Sequence, residues 1–154
     1  MTDDTREELI RLLKKFRFAM LTTMTADGKH VAHPLTVQER EFDGDLWFII
    51  AARSSSVENL RSHKEVNVSF SSDSAWVSLT GTAEIVEDRA KLEELWSPAV
   101  DAWFESGPSD PNAALLKFTA EGAEYWHNTS GKIVQAIAAL TGRRVEGDNA
   151  TVDL

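Results

Sequence analysis

Apolar and polar residues alternate along most of the chain, which is the pattern of half-buried β-strands. The alternation is clearest over 75–86, where Ala75, Val77 and Leu79 share one face and Trp76 lies on the other. The same pattern predicts strands over residues 17–24, 30–38, 46–51, 66–70, 75–86 and 114–127. Asp-Gly pairs at Asp27-Gly28 and Asp43-Gly44 predict tight turns between the early strands.

Apolar residues at helical spacing predict helices before and between the strands. Thr5 and Ser55 each stand three residues before a glutamate, which is the arrangement of a capping box at a helix start. Two more helices are expected, one capped by Asp88 and one by Ser97, which is followed by a proline.

Four local features refine this picture. Pro34 has no amide to donate, so its strand should lie at a sheet edge or carry a bulge. The unbroken apolar run over 46–51 predicts a strand buried on both faces. Residues 132–140 are apolar and fit either a strand or a helix. The last dozen residues are polar and are expected to fray.

Hairpin turns and alternating strands with inserted helices predict a mainly β (α+β) fold. We expect an antiparallel barrel or sandwich with helical caps, formed by one domain over 1–142 and followed by a polar tail over 143–154. No GxGxxG loop follows a strand, so a dinucleotide-binding site of the Rossmann type is not supported.

Composition excludes several functional classes. The chain has 154 residues, a formal net charge of -9 and no cysteine. The negative charge argues against nucleic-acid binding, and the lack of cysteine excludes disulfides and thiolate metal sites. No apolar run is long enough to span a membrane, and the acidic N-terminus does not resemble a secretory signal, so we expect a cytoplasmic protein. Any phosphate site must be built locally from amides, hydroxyls and an arginine.

The stretch from Arg53 through Ser54 and Ser55 to Ser56 is a candidate phosphate cradle. It lies where a buried strand gives way to a helix, and the free amides of a helix start carry partial positive charge. Serine hydroxyls can donate to an anion, and the arginine can bind one in a bidentate manner. The alternative is an ordinary helix cap with solvated serines.

Trp76 stands on the polar face of its strand, so it needs cover from a ligand ring, a dimer partner or a helix of the protein itself. His33 lies on an apolar strand face, as a satisfied core histidine usually does. His30 should lie on the opposite face, so the two histidines are not expected to share a metal ion. No arrangement of serine, histidine and acid marks an activated nucleophile.

Residues 16–135 as a whole resemble the general stress proteins of the pyridoxamine-phosphate-oxidase-like group. Four segments carry the resemblance through their order and spacing. They are Met20-Leu21-Thr22-Thr23 with the Asp27-Gly28 turn; His33-Pro34-Leu35-Thr36 with residues 42–48; Val66-Asn67-Val68-Ser69-Phe70 with residues 77–83; and Ala123-Glu124-Tyr125-Trp126 with Ser130-Gly131-Lys132.

The resemblance implies a split β-barrel that forms a homodimer, with two flavin sites at the subunit interface. It implies that the cofactor's phosphate and ribityl chain meet one strand, the end of another and a helix start, at His33, Pro34, Leu35, Thr36, Ile49, Ile50, Ala51, Ser54, Ser55 and Ser56. The position of Trp76 and Val77 is similar to the one beside the flavin ring. Trp126 resembles a tryptophan that reaches the flavin from the second subunit.

The chain also departs from the family pattern. Ser56 stands where a lysine is common, and His33 where the oxidase members usually have an arginine. No Arg-x-His cluster follows Trp126, so pyridoxamine-phosphate oxidase activity is not expected. The cofactor expected is FMN, with FAD or a deazaflavin as alternatives. The function expected is that of a flavin-binding general stress protein with oxidoreductase capacity; the alternatives are a flavin-storing protein without turnover and a cofactor-free barrel that acts through protein contacts.

Overall fold

The computed structural model describes residues 3–38, 43–127 and 148–153. The helices are α1 (Asp3–Leu13), α2 (Ser55–Ser62), α3 (Arg89–Leu95) and α4 (Pro98–Asp101), and a 3₁₀ turn covers Gly107–Ser109. The strands are β1 (Phe18–Met24), β2 (His30–Thr36), β3 (Asp45–Ala51), β4 (Glu65–Ser71), β5 (Ala75–Val86), β6 (Ala113–His127) and β7 (Asp148–Asp153).

All the strand pairs are antiparallel and form one sheet in the order β2-β1-β4-β5-β6-β3. The long strand β6 pairs with β3 along its first half and with β7 along its second half. The sheet curls until β2 and β3, at the two ends of this order, approach each other. The fold is therefore an antiparallel split barrel, as expected from the sequence.

The barrel interior holds the main hydrophobic core. Helix α1 contributes Leu9 and Leu12, which pack with Leu21, Leu79 and Phe118 from the strands. A smaller core lies on the other side of β3 and β6, under the helical insertion α3–α4. Strand β3 is thus covered on both faces, which confirms the prediction from its unbroken apolar sequence.

Strands β5 and β6 approach each other closely at an irregularity in their pairing between Thr80 and Gly81. A Cβ atom placed on Gly81 would lie 2.0 Å from the carbonyl oxygen of Thr119. Only glycine fits here without moving the strands apart. Gly28 and Gly44 have φ values of 87° and 109°, so both predicted Asp-Gly turns use the left-handed backbone that glycine favours.

Strand β2 is an edge strand, which confirms the prediction from Pro34. Both predicted capping boxes are wrong: Thr5 lies inside α1, and the cap of α2 is Ser54, whose Oγ accepts a hydrogen bond from the Val57 amide. The helix after Ser97 is shorter than its apolar spacing suggests and ends at Asp101.

The polar C-terminal residues differ from the expectation of a frayed end, because 148–153 form β7 on the edge of β6. The ambiguous segment 132–140 and the predicted boundary between residues 142 and 143 lie outside the described residues. Within the part of the chain that the structure describes, no helix is long and apolar enough to cross a membrane.

Candidate functional site

The connection between β3 and α2 is a tight turn fixed from a distant part of the chain. The amide of Ser54 donates to the carbonyl of Ala51 at 3.0 Å, which turns the chain directly into the helix. Asn112, in the turn just before β6, accepts from the Ala52 amide through its carbonyl at 2.7 Å and from the Arg53 amide through its Oδ1 at 3.1 Å. The start of α2 is therefore held in one orientation relative to the barrel.

His33 joins the edge strand β2 to the start of this helix. Its Nδ1 lies 3.0 Å from Oγ of Ser56, and its Nε2 lies 3.3 Å from Oγ of Ser55. Both ring nitrogens thus have hydroxyl partners, so the histidine is satisfied as predicted, but it is half-buried at the barrel edge and not a core residue. The two serines differ in exposure, because Ser56 is 1% exposed while Ser55 is open to solvent.

The helix start presents a mixed set of donors to solvent. Arg53 and Ser55 are exposed, and Ser54 is half-buried as the helix cap. The first amides of a helix have no partner within the helix, so they add further donors beside these side chains. Asn59, one turn into α2, donates to Oγ1 of buried Thr23 at 3.0 Å and ties the helix to β1. The result is a rigid, positively polarised surface that suits an anion.

Most of the other predicted residues near this turn have side chains that face one of the two cores. Leu35 is 8% exposed and Ile50 is 5% exposed, so a ligand could reach only their backbone. Ile49 and Ala51 face the smaller core under the helical insertion. Pro34 is exposed and Thr36 is half-buried on the outer face of β2, opposite to the face of His33.

Trp76 and Trp126 lie directly opposite each other on β5 and β6. They share the outer face of the sheet, because the side chains of neighbouring residues such as Val77 point into the core. Trp126 is 38% exposed and Trp76 is half-buried. Among the described residues, these two tryptophans therefore form a cross-strand pair of side chains on the outside of the barrel.

The tryptophan pair and the helix start do not meet within one chain. His33 points to the inner side of β2, and β1 and β4 separate β2 from the strand that carries Trp76. The outer face also exposes Phe18, at 64%, and Met20, at 40%. Met20 lies opposite Pro34 in the register of β1 and β2. One face of the sheet thus presents apolar side chains from β1, β2 and β6.

A charged cluster lies where α1 covers the end of β6. Nε of Arg11 donates to Oε2 of Glu8 at 2.8 Å, and Nδ1 of His127 lies 3.8 Å from Oε1 of Glu8. The hydrogen bond from Arg11 is the main cause that lowers the pKa of Glu8. Nδ1 of His127 is buried and has no hydrogen-bond partner among the described residues.

The structure thus brings His33, Ser55 and Ser56 together, with Arg53 and Ser54 beside them, and it separately pairs Trp76 with Trp126. Sequence reasoning missed Asn112, which fixes the turn before α2, and the exposed pair Phe18 and Met20. The alternation over 17–24 already placed the last two on one face. Nothing local marks Asn112, because its partner lies 59 residues away.

A family model described as pyridoxamine 5'-phosphate oxidase like matches residues 4–150. Among solved structures, the general stress FMN/FAD binding protein from Xanthomonas citri is 32% identical, with a TM-score of 0.72, and the match covers 84% of this chain and 92% of that one.

A protein from Clostridium acetobutylicum related to general stress protein 26 has a similar fold at 21% identity, with a TM-score of 0.77 and coverage of 100% of this chain and 97% of that one. Among curated proteins, protein bli-3 of Neurospora crassa is 28% identical over 163 residues, covering 98% of this chain and 78% of that protein.

Proposed function

The chain belongs to the pyridoxamine 5'-phosphate oxidase-like family, and we propose that it is a flavin-nucleotide-binding general stress protein. The observation that carries the proposal is the junction of His33 with Ser55 and Ser56, beside Arg53. The relative from Xanthomonas citri, whose name states FMN/FAD binding, matches this chain over most of its length.

The flavin phosphate would lie at the start of α2. Arg53 and Ser55 are exposed there and can both donate to phosphate oxygens. The amides of the first helical turn point the same way and favour negative charge. These donors fit a phosphate, and Asn112 keeps them in place by holding the preceding turn. We expect FMN to be the natural ligand, with FAD or a deazaflavin as the alternatives.

The isoalloxazine ring would be completed by a second copy of the chain. Trp126 and Trp76 offer an aromatic surface, but within one protomer they lie on the opposite side of the sheet from His33. The exposed apolar side chains of Phe18 and Met20 lie on the same outer face, and burying them would favour association with another protomer. A homodimer would bury this face and bring the tryptophans of one chain toward the helix start of the other.

A bound flavin supplies hydride and electron transfer, and the chain's own residues bind, orient and shield it. Arg53, Ser55 and the helix amides hold the phosphate end, while Trp126 limits access of water to the ring. We propose an oxidoreductase that acts on a small molecule. No side chain is assigned as a general acid or base.

Titration of the purified protein with FMN, FAD, a deazaflavin and riboflavin tests the proposal. We expect FMN to bind more tightly than riboflavin, because only FMN carries the phosphate. Anaerobic reduction of the bound flavin by NADH or NADPH, followed by reoxidation with candidate acceptors, separates an enzyme from a storage protein. A protein that takes up none of the four compounds would contradict the proposal and favour a cofactor-free barrel.

A further inference from the structure

We infer that His33 is a positioning residue that couples flavin-phosphate binding to the uptake of a proton. The inference rests on the proposed function, which places the phosphate at the start of α2. Its own basis is the pair of hydroxyl partners on the two ring nitrogens, at 3.0 Å for Ser56 and 3.3 Å for Ser55.

The hydroxyl of Ser55 has one hydrogen, and the imidazole decides where that hydrogen points. When Nε2 of His33 has no proton, it accepts the Ser55 hydrogen, and the hydroxyl then turns only lone pairs toward the cradle. When Nε2 carries a proton, it donates to Ser55, and the hydroxyl hydrogen is free to donate to a phosphate. A phosphate therefore selects the states of the ring in which Nε2 is protonated.

The charged imidazolium meets this requirement best. The neutral ring with its proton on Nε2 already frees the Ser55 hydrogen, since Nδ1 then accepts from Ser56, and the imidazolium keeps the same donor at Nε2. The imidazolium also adds a positive charge one hydroxyl away from a dianion, in a site partly shielded from water. Binding of the phosphate should thus draw a proton from solvent onto the ring in part of the molecules.

The groups closest to His33 are uncharged or already paired, so we expect His33 to be the group that takes up the proton. Its partner on β1 is Leu21, and its neighbours on the inner face of β2 are Val31 and Leu35, all uncharged. On α2, Glu58 is bridged to Arg61 at 3.4 Å.

The remaining charges lie on other segments. At the start of β2, Lys29 pairs with Asp27 at 3.7 Å, and His30 is on the opposite strand face. On β3, Asp45 pairs with Lys117 at 3.8 Å. Arg53 precedes α2 and would bind the phosphate itself, with no proton to gain.

Calorimetry in two buffers of different ionisation enthalpy measures the proton taken up when FMN binds. At pH 7.5 the FMN phosphate is already mostly a dianion, because its second pKa is about 6, so uptake must come from the protein. We expect a net uptake of protons, below one per FMN, and an FMN affinity that falls as the pH rises from 7.0 to 8.5.

Three variants and riboflavin isolate the coupling. His33→Gln keeps an amide donor but cannot titrate, so it should lose the uptake. Ser55→Ala removes the hydroxyl that links the ring to the phosphate and should reduce the uptake. His30→Gln, on the outer face of the same strand, should keep it. Riboflavin should bind without proton uptake. Equal proton uptake in the parent and in His33→Gln would overturn this inference but would leave the proposed flavin binding intact. Absence of FMN binding at any pH would refute the proposed function and this inference with it.

Discussion

Replacement of Trp126 by alanine should weaken flavin binding without unfolding the protein. The side chain is 38% exposed, which leaves about 90 Å² of a tryptophan's area uncovered. A flavin ring that covers half of this area contributes about 1.1 kcal/mol through burial, and the aromatic contact adds about 0.5–1.5 kcal/mol. The expected loss in FMN affinity is therefore roughly 15- to 80-fold.

Two other tryptophans on the helical insertion serve as controls. Trp103 is 76% exposed, so Trp103→Ala should change neither affinity nor stability. Trp96 packs on Phe104 with ring centroids 5.6 Å apart and donates to Asp101, so Trp96→Ala should lower the unfolding temperature but not FMN affinity. The assay is a fluorescence titration with FMN, with thermal unfolding measured in parallel. Parent-like affinity in Trp126→Ala, or an equal loss in Trp103→Ala, would refute the placement of the ring.

Three further predictions concern the scaffold. The pKa of Glu8 is lowered in the folded protein from its ordinary value of 4.5. The ionised carboxylate therefore stabilises the fold above pH 4.5, and this stabilisation is lost as the pH falls through the pKa of the folded state. Glu8→Gln should flatten the acid side of a plot of urea midpoint against pH. Gly81→Ala should cost about 1–3 kcal/mol of unfolding free energy by overpacking against β6, whereas Thr80→Ala, at an exposed neighbour, should cost little in the same denaturation assay. Asn112→Ala should lower FMN affinity more than riboflavin affinity in paired titrations, because the turn before α2 loses the side-chain oxygen that accepts from the Arg53 amide. Asn112→Asp keeps an acceptor oxygen and should retain more of the FMN affinity.

The barrel could be predicted because most of its determinants are local. Alternation along 75–86 and the Asp-Gly turns depend on neighbouring residues alone, and β5 begins and ends where the pattern does. The cap of α2 was predicted one residue too late, because Ser54 and Ser55 can both cap a helix and only the bond from the Val57 amide decides between them. Strand β7 was missed because its sequence is polar and gives no strand pattern. It forms a strand by pairing with the free edge of β6, which is a tertiary effect.

The candidate site could be predicted only in part for the same reason. The serines at the start of α2 stand out in the sequence, but their partner His33 lies more than 20 residues earlier and enters through the curl of the sheet. Ser56 looks solvated in the sequence, yet its hydroxyl is buried against that ring. Contacts between distant segments set the direction of each hydroxyl, and no local pattern encodes them.

We propose that one flavin site is built from the helix start of one chain and Trp126 of another. A mixed dimer tests it directly, with Trp126→Ala in one chain and Arg53→Glu plus Ser55→Asp in the other, isolated by two different affinity tags. Both cradle residues are exposed, so their replacement should leave the fold intact. Each variant alone should bind FMN weakly, while the mixed dimer should bind one FMN per dimer with the parent's affinity. A mixed dimer that binds FMN no better than either variant alone would contradict the shared site.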